Sequence, residues 1–252
     1  MTQIMINNNK RIGKVIFIVE GEETEPTLIS HIFGTLFHFN VIISNKKGIR
    51  ELKKDDDKYS TIYIIQAKYP QINKLEDSKT YFDKIYRRMS NDYQLDVENS
   101  AIFYIFDRDR DCNRPKMIHS YLEKFGNSRE NKDYEMQGLF LLSYPCIEAF
   151  ISHANAQEDK YSCGKEAKEK TKDFLITKIQ EENVKRVLEL FLNFCENLDK
   201  SPFSINELDD FSNRNHSIFN LEEKEFQKEK TYHTLSLLIV ALLDLDLLSI
   251  QN

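Results

Sequence analysis

Short apolar runs alternate with longer helical stretches between residues 15 and 153, and this alternation constrains the fold more than any other feature of the sequence. The runs are apolar at nearly every position, which is typical of strands that are covered on both faces. Strands separated by helices form parallel sheets, because parallel neighbours need a crossover connection. The predicted strands are residues 15–19, 39–43, 61–66, 101–106 and 138–143.

Helical patterns fill the intervals between these runs. Three of them begin at or near a proline, which is favoured in the first helical turn because its missing N–H group is not needed there. The predicted helices are residues 26–37, 78–93, 115–125 and 145–153. We therefore predict an α/β fold with a mostly parallel, Rossmann-like sheet flanked by helices.

The pattern changes at about residue 155, after which β-type runs disappear and charged helical sequence follows. Helices are predicted over residues 165–198 and 232–249. We expect an α/β domain at residues 1–155 and a helical C-terminal region at residues 156–252. The C-terminal apolar helix packs either on the chain's own core or in a homo-oligomer contact, and periodicity does not separate the two.

Composition and local sequence indicate the cellular compartment of the protein and limit the partners it can bind. The four cysteines follow no disulfide or zinc spacing, and the first residues lack the apolar run of a secretory signal, so we expect a cytoplasmic protein. The most apolar stretch, residues 235–250, is shorter than the roughly 20 residues of a membrane span and contains Asp244 and Asp246. The net charge of −6 disfavours a purely electrostatic coat for nucleic acid.

Acidic residues follow two of the predicted strands. Glu20 comes directly after the first strand, and Asp107, Asp109 and Asp111 follow the fourth. Ligands of open α/β sheets bind beyond the carboxyl ends of the strands. If the two strands are neighbours, these oxygen ligands suit Mg²⁺ or Mn²⁺. The alternative is that each acid is an ordinary solvated or turn residue, and Asp111 a helix cap.

Other residues of these loops are assigned more ordinary roles. Glu22, Glu23 and Glu25 are expected mostly in solvent, with Thr24 or Glu25 capping the helix at Pro26. Basic residues near the acids are candidates for holding a nucleic-acid backbone, although a surface role or a salt bridge is the alternative for each of them. These basic residues are Arg108, Arg110, Arg114 and Lys165. Cys146 is expected to be a buried hydrophobe.

Three segments of the sequence resemble a known family. VIFIVEGEETEPTLI resembles the opening motif of TOPRIM-like domains in RloB-like and related abortive-infection proteins, and IFYIFDRDRD resembles the second TOPRIM motif. LLSYPCIEAFISH is similar to the segment that follows the next strand in those proteins. The resemblance covers about residues 12–153. It implies that Glu20 is the principal catalytic acid, that Asp107 and Asp109 bind metal, and that Glu148 completes the site.

Glu148 has an alternative role as a solvent-facing glutamate in the first turn of its helix, where the helix dipole favours it. Lys165 is a candidate for stabilising transition-state charge. The expected catalytic residues are therefore Glu20, Asp107, Asp109, Glu148 and Lys165, and the expected metal ligands are Glu20, Asp107, Asp109 and Asp111.

These features together predict a Mg²⁺-dependent endonuclease that acts on RNA such as tRNA, or on DNA. The resemblance implies an effector of antiphage defence with a partner ATPase, while the chain itself has no Walker loop. The alternatives are a non-catalytic TOPRIM-fold subunit of a defence complex and a housekeeping nuclease that matures RNA. A haloacid-dehalogenase-like phosphotransferase is disfavoured, because its nucleophilic aspartate would stand where this chain has Glu20.

Overall fold

The structure is a computed structural model that describes residues 3–42, 48–67, 78–108, 115–130, 137–157, 160–200 and 202–251, without the side chains of residues 78–81 and 199. The strands in this part of the chain are β1 Gln3–Ile6, β2 Lys14–Val19, β3 Phe39–Ile42, β4 Ile49–Lys54, β5 Asp57–Gln66, β6 Ser100–Asp107, β7 Gly126–Asn127, β8 Gly138–Tyr144, β9 Leu235–Ser236 and β10 Leu248–Gln251.

Helices connect and flank the strands. They are α1 Thr24–Phe37, α2 Ser78–Arg87, α3 Pro115–Lys124, α4 Glu148–Ala154, α5 Gly164–Thr171, α6 Glu181–Asp199, α7 Ser212–Glu229 and α8 Leu238–Asp244. A π-helical turn, Arg88–Asp92, extends α2, and 3₁₀ turns lie at Ile176–Lys178 and Ile205–Asp210. No helix in the described part of the chain is long and apolar enough to cross a membrane.

The central sheet confirms the predicted α/β class. Within the described residues its strand order is β3-β4-β5-β2-β6-β8-β7, and β9 also pairs with β8. The four inner strands β5, β2, β6 and β8 run parallel to one another. The other strands pair antiparallel, so the sheet is mixed but has a parallel centre. This arrangement is Rossmann-like.

Aromatic side chains attach helices to both faces of the sheet. On one face Phe17 of β2 packs against Phe33 of α1, with ring centroids 5.7 Å apart. On the other face Tyr104 of β6 packs against Phe82 of α2 and Phe125, with centroids 5.2 and 4.7 Å apart. Because both faces are covered, Val15 to Val19 are fully buried, as the continuous apolar run predicts.

Two parts of the sheet differ from the prediction. The run at residues 39–43 was expected to be one strand joined through helices to the others, but β3 forms an antiparallel hairpin with β4 at the sheet edge. Ile43 lies outside the described residues. The sequence of β4, IRELKK, was not predicted as a strand because four of its six residues are charged and it lacks the apolar run of the inner strands.

The C-terminal region is less purely helical than predicted and shares the core of the α/β part. The predicted helix at residues 232–249 is divided into β9, α8 and β10, and the one at 165–198 into α5 and α6. Helix α7 was not predicted. β9 extends the central sheet, β10 pairs with β1, and a single hydrophobic cluster contains residues on both sides of residue 155. The predicted boundary therefore does not interrupt the core.

Candidate functional site

The winding of the sheet creates a crevice between β2 and β6. From β2 the chain goes to β3 at the sheet edge, returns through β4 to β5 beside β2, and then crosses to β6 on the opposite side of β2. Connections diverge at such a switch point, which leaves an open crevice at the carboxyl ends of the two strands. Glu20 directly follows β2, and Asp107 is the last residue of β6. The predicted acids therefore lie on neighbouring strands.

Hydrogen bonds connect the two acids. The backbone N–H of Asp107 donates to Glu20 Oε2 at 3.0 Å, across 87 residues of sequence. Asp107 Oδ1 accepts a hydrogen bond of 2.9 Å from the backbone N–H of Ile147, just before α4. Each of the two carboxylates is thus held by a backbone N–H of another segment, which fixes its position more firmly than side-chain contacts alone.

Glu25 is a further acid of the site that sequence analysis did not select. It was expected in solvent or as a helix cap, but its side chain is buried and its Oε1 accepts the Gly21 N–H at 2.9 Å. The carboxylate is turned back toward the loop because α1 begins immediately before it, at Thr24. Glu22 and Glu23 are exposed, as expected.

Glu148 lies in the first turn of α4 and faces the same crevice. It is only 5% exposed, so it is not the solvent-facing glutamate of the alternative interpretation. Within the described residues its buried Oε2 has no hydrogen-bond partner. A buried carboxylate oxygen without a donor is costly, and a cation or a proton would offset that cost.

The lysine that lines the crevice is Lys168 of α5. Lys165 was predicted, but it is exposed and does not line this cavity. Burial alone would lower the pKa of Lys168, but the carboxylates of Glu148 and Asp107 raise it above its ordinary value. Lys168 therefore carries its charge among the acids. Its place one helical turn beyond Lys165 cannot be read from the sequence without knowing where α5 begins.

Burial, with added repulsion between neighbouring acids, raises the pKa of the carboxylates in the crevice. The pKa of Asp107 is raised well above its ordinary value, first by burial and then by Glu20, Glu25 and Glu148. Burial also raises the pKa of Glu25, with a further contribution from Glu148. Like charges confined in a low-dielectric crevice favour uptake of a proton or a cation. The site is therefore one that a positively charged ligand would stabilise.

The crevice is an open cavity of about 490 Å³. Its lining residues are Glu20, Gly21, Glu22, Glu23, Thr24, Glu25, Asp107, Ile147, Glu148 and Lys168. Asp109 and Asp111 lie outside the described residues. Among the residues that are described, no three His, Cys, Asp or Glu side chains already converge closely enough to form a metal-binding group.

Arg108 and Cys146 flank the site but belong to the core. The Arg108 side chain is fully buried, its Nε donates to Glu223 Oε1 of α7 at 2.8 Å, and its Nη2 forms an ion pair with the same oxygen at 2.7 Å. Of the three roles considered for Arg108, the structure shows a salt bridge, and in the described part of the chain the observed partner is Glu223 and not one of the nearby aspartates. Arg110 and Arg114 lie outside the described residues. Cys146 is buried as expected, and burial raises the pKa of its thiol.

Comparison of the chain with protein-family models, curated proteins and solved structures finds no match.

Proposed function

We propose that this chain is a metal-dependent endonuclease of the TOPRIM type that hydrolyses phosphodiester bonds of nucleic acid. The observation that carries the proposal is the pairing of Glu20 with Asp107 at the switch point, where the Asp107 N–H binds the Glu20 carboxylate at 3.0 Å. A TOPRIM domain requires these two acids on neighbouring strands. The TOPRIM-like sequence motifs and this strand adjacency are independent supports for the same assignment.

The donor set fits Mg²⁺ or Mn²⁺. Glu20, Asp107 and Glu148 offer only carboxylate oxygens, which hard divalent cations prefer. The buried Oε2 of Glu148 has no hydrogen-bond donor in the described structure, as expected for an oxygen that binds a cation. These three residues would hold the metal after side-chain movement, because in the described structure no three acids yet converge on one point. When bound, such a cation lowers the pKa of an attacking water and stabilises charge on the phosphate oxygens.

The chain's own residues prepare the site for a phosphate. Lys168 places an ammonium group among the carboxylates, and its three N–H donors can bind a non-bridging phosphate oxygen. Glu25 binds the Gly21 N–H and so holds the loop that carries Glu20 against the end of β2. Backbone donors from Asp107 and Ile147 orient the carboxylates before substrate enters. Such preorganisation lowers the cost of reaching the transition state.

The test is hydrolysis by Glu20→Gln, which keeps the size of the side chain and removes its charge. We expect Mg²⁺-dependent cleavage of tRNA, single-stranded RNA or plasmid DNA by the wild type, and a loss of about 100-fold or more in the variant. Glu196→Gln makes the same change on the exposed surface of α6 and should cleave like the wild type. Circular dichroism checks that both variants fold.

Two results would contradict the proposal. Equal hydrolysis by wild type and Glu20→Gln would exclude Glu20 as a catalytic residue. Calorimetric binding of Mg²⁺ or Mn²⁺ without cleavage of any of these substrates would instead favour the non-catalytic subunit. The antiphage role with a partner ATPase is a further part of the proposal and rests on the family resemblance. It predicts that expression of the wild type, but not of Glu20→Gln, arrests growth once the system is activated.

A further inference from the structure

A second, smaller cavity of about 190 Å³ lies beside the acidic crevice, at the carboxyl end of β5. It is lined by Pro26, Gly48, Ile49, Arg50, Ile64 and Gln66. The hairpin strand β4 supplies Arg50, which pairs in register with Ile64 of β5. The cavity therefore depends on β4, which pairs with β5 outside the parallel strands and supplies one wall.

The two cavities share a wall. Gln66 lines the smaller one, and its Nε2 donates at 2.8 Å to the backbone oxygen of Glu22, which lines the acidic crevice. Glu25 and Pro26 are consecutive residues that line one cavity each. From β2 across β5 to β4 are two strand spacings, or roughly 10 Å. A ligand that spans both cavities must therefore be longer than one phosphate group.

Among the described residues that line this cavity, Arg50 is the only one with a charged side chain. It is partly buried, and within the described residues it has no hydrogen bond and no ion pair. A guanidinium group has five N–H donors in a planar fork that matches phosphate oxygens. Because no carboxylate of the described residues pairs with it, the Arg50 side chain is available to bind an anion from outside the chain.

A second arginine reaches the same edge of the sheet from the opposite side of Gly48. Arg88, in the π-helical turn after α2, donates from Nη1 to the Gln66 oxygen at 3.3 Å and lies over the Tyr93 ring at 5.0 Å. A Cβ atom at Gly48 would be 3.0 Å from Arg88 Nη2. The edge of the sheet beside the acidic crevice is thus bordered by two positive charges.

We propose that Arg50 binds a backbone phosphate of a nucleic-acid strand whose scissile phosphate lies in the acidic crevice. This inference rests on the proposed nuclease function and adds a path for the substrate. The crevice is rich in carboxylates and the chain has a net charge of −6, so a polyanion needs a local positive anchor. Arg50 supplies that anchor at one end of the path, and Arg88 adds positive potential beside it.

Binding in the absence of metal tests the subsite separately from catalysis. We would titrate fluorescein-labelled single-stranded DNA and RNA of about 20 nucleotides with protein in EDTA, and follow anisotropy at increasing NaCl. Arg50→Ala should lower affinity about tenfold and reduce the salt slope by about 0.7, the value for one phosphate contact on a single strand. Arg50→Lys should fall between Arg50→Ala and the wild type.

Arg11→Ala is the matched control, because Arg11 is an exposed arginine near the amino ends of the strands, where it lies over Tyr59. It should bind like the wild type. Unchanged affinity and salt slope in Arg50→Ala, equal losses in both variants, or no binding by the wild type would overturn the subsite.

Hydrolysis gives a second readout in the same variants. A small diester such as bis(p-nitrophenyl) phosphate fills only the acidic crevice, so Arg50→Ala should raise KM for the oligonucleotide about tenfold and raise KM for the small diester much less. Cleavage that Arg50→Ala does not alter would reject the subsite and leave the nuclease assignment in place. Arg50-dependent binding without any cleavage would support the subsite and reject the nuclease.

Discussion

Gly21 shows how closely the acidic loop is packed at the level of single residues. A Cβ atom at this position would lie 2.2 Å from Glu25 Oε2 and 2.7 Å from Oε1. Contacts this short are not tolerated, so a side chain at residue 21 must displace the carboxylate. The absence of a side chain here therefore permits the hydrogen bond between the Gly21 N–H and Glu25.

We predict that Gly21→Ala impairs the site without unfolding the protein. Displacement of the Glu25 carboxylate shifts the loop that carries Glu20, and a shift of about 1 Å in a catalytic group can lower activity by about 100-fold. Hydrolysis and Mn²⁺ binding by calorimetry measure the effect. Gly34→Ala is the control, because Gly34 lies within α1 and a Cβ atom there would meet the Phe39 oxygen at an ordinary 3.4 Å. Equal activity in the two variants would contradict the prediction.

His153 gives the protein a specific sensitivity to acid. Burial in α4 lowers the pKa of this histidine from 6.5 to about 4. In the unfolded chain His153 takes up a proton below pH 6.5. In the folded chain it does so only near pH 4. The free energy of unfolding should therefore fall by about 3 kcal/mol through this residue as the pH drops across that window.

The measurement is urea denaturation of the wild type and His153→Leu at pH 7 and near pH 4.5. The variant has no titrating group at this position, so it should lose less stability than the wild type over the same interval. Identical losses in the two proteins would show that His153 does not contribute to the acid sensitivity.

The acids of the site were predictable to different degrees. Glu20 and Asp107 could be selected because each directly follows an apolar run, and the carboxyl ends of parallel strands meet at one edge of a sheet. Glu25 could not, because nothing in a run of loop glutamates distinguishes the one that turns inward. Lys168 was missed in favour of Lys165, since the choice depends on the start of a short helix and on how that helix packs.

At the scale of elements, burial decided which segments could be recognised. The inner strands β2, β5, β6 and β8 are apolar on both faces and stand out in the sequence. Strand β4 has charged residues, and helix α7, SNRNHSIFNLEEKEFQKE, has an apolar stripe interrupted by buried polar residues. Such segments acquire their structure from tertiary contacts, which a local pattern does not contain.

Helix α7 is attached to the end of β6 by the buried pair of Arg108 and Glu223. Glu223→Ala should lower the free energy of unfolding by about 3 kcal/mol, because it leaves the Arg108 charge buried without this carboxylate. Glu229→Ala, on the same helix, removes an exposed partner of Lys228 and should cost less than about 1 kcal/mol. Urea denaturation compares the two. Similar losses would mean that the buried pair does not stabilise the fold.

At the scale of the whole molecule, the first and last described strands, β1 and β10, pair with each other. β1 pairs with β10 so that Gln3 lies opposite Gln251, and Asn215 of α7 donates to the Phe140 oxygen of β8 at 2.6 Å. The helical C-terminal region was predicted by its charge pattern, but its integration into the sheet was not. Strands as short as the two-residue β9 carry no periodicity, and their pairing depends on segments far away in sequence.

The hydrogen bond between Glu20 and Asp107 joins residues 87 positions apart, and Ile147 is needed to hold Asp107 in turn. On a ribosome that adds about 5–20 residues per second, the early part of this chain is exposed for many seconds before the acids can meet. A growing or truncated chain that ends before α4 lacks part of the acidic crevice. If the protein is a nuclease, unfinished chains are inactive because their site is incomplete. The cell then needs no inhibitor against them.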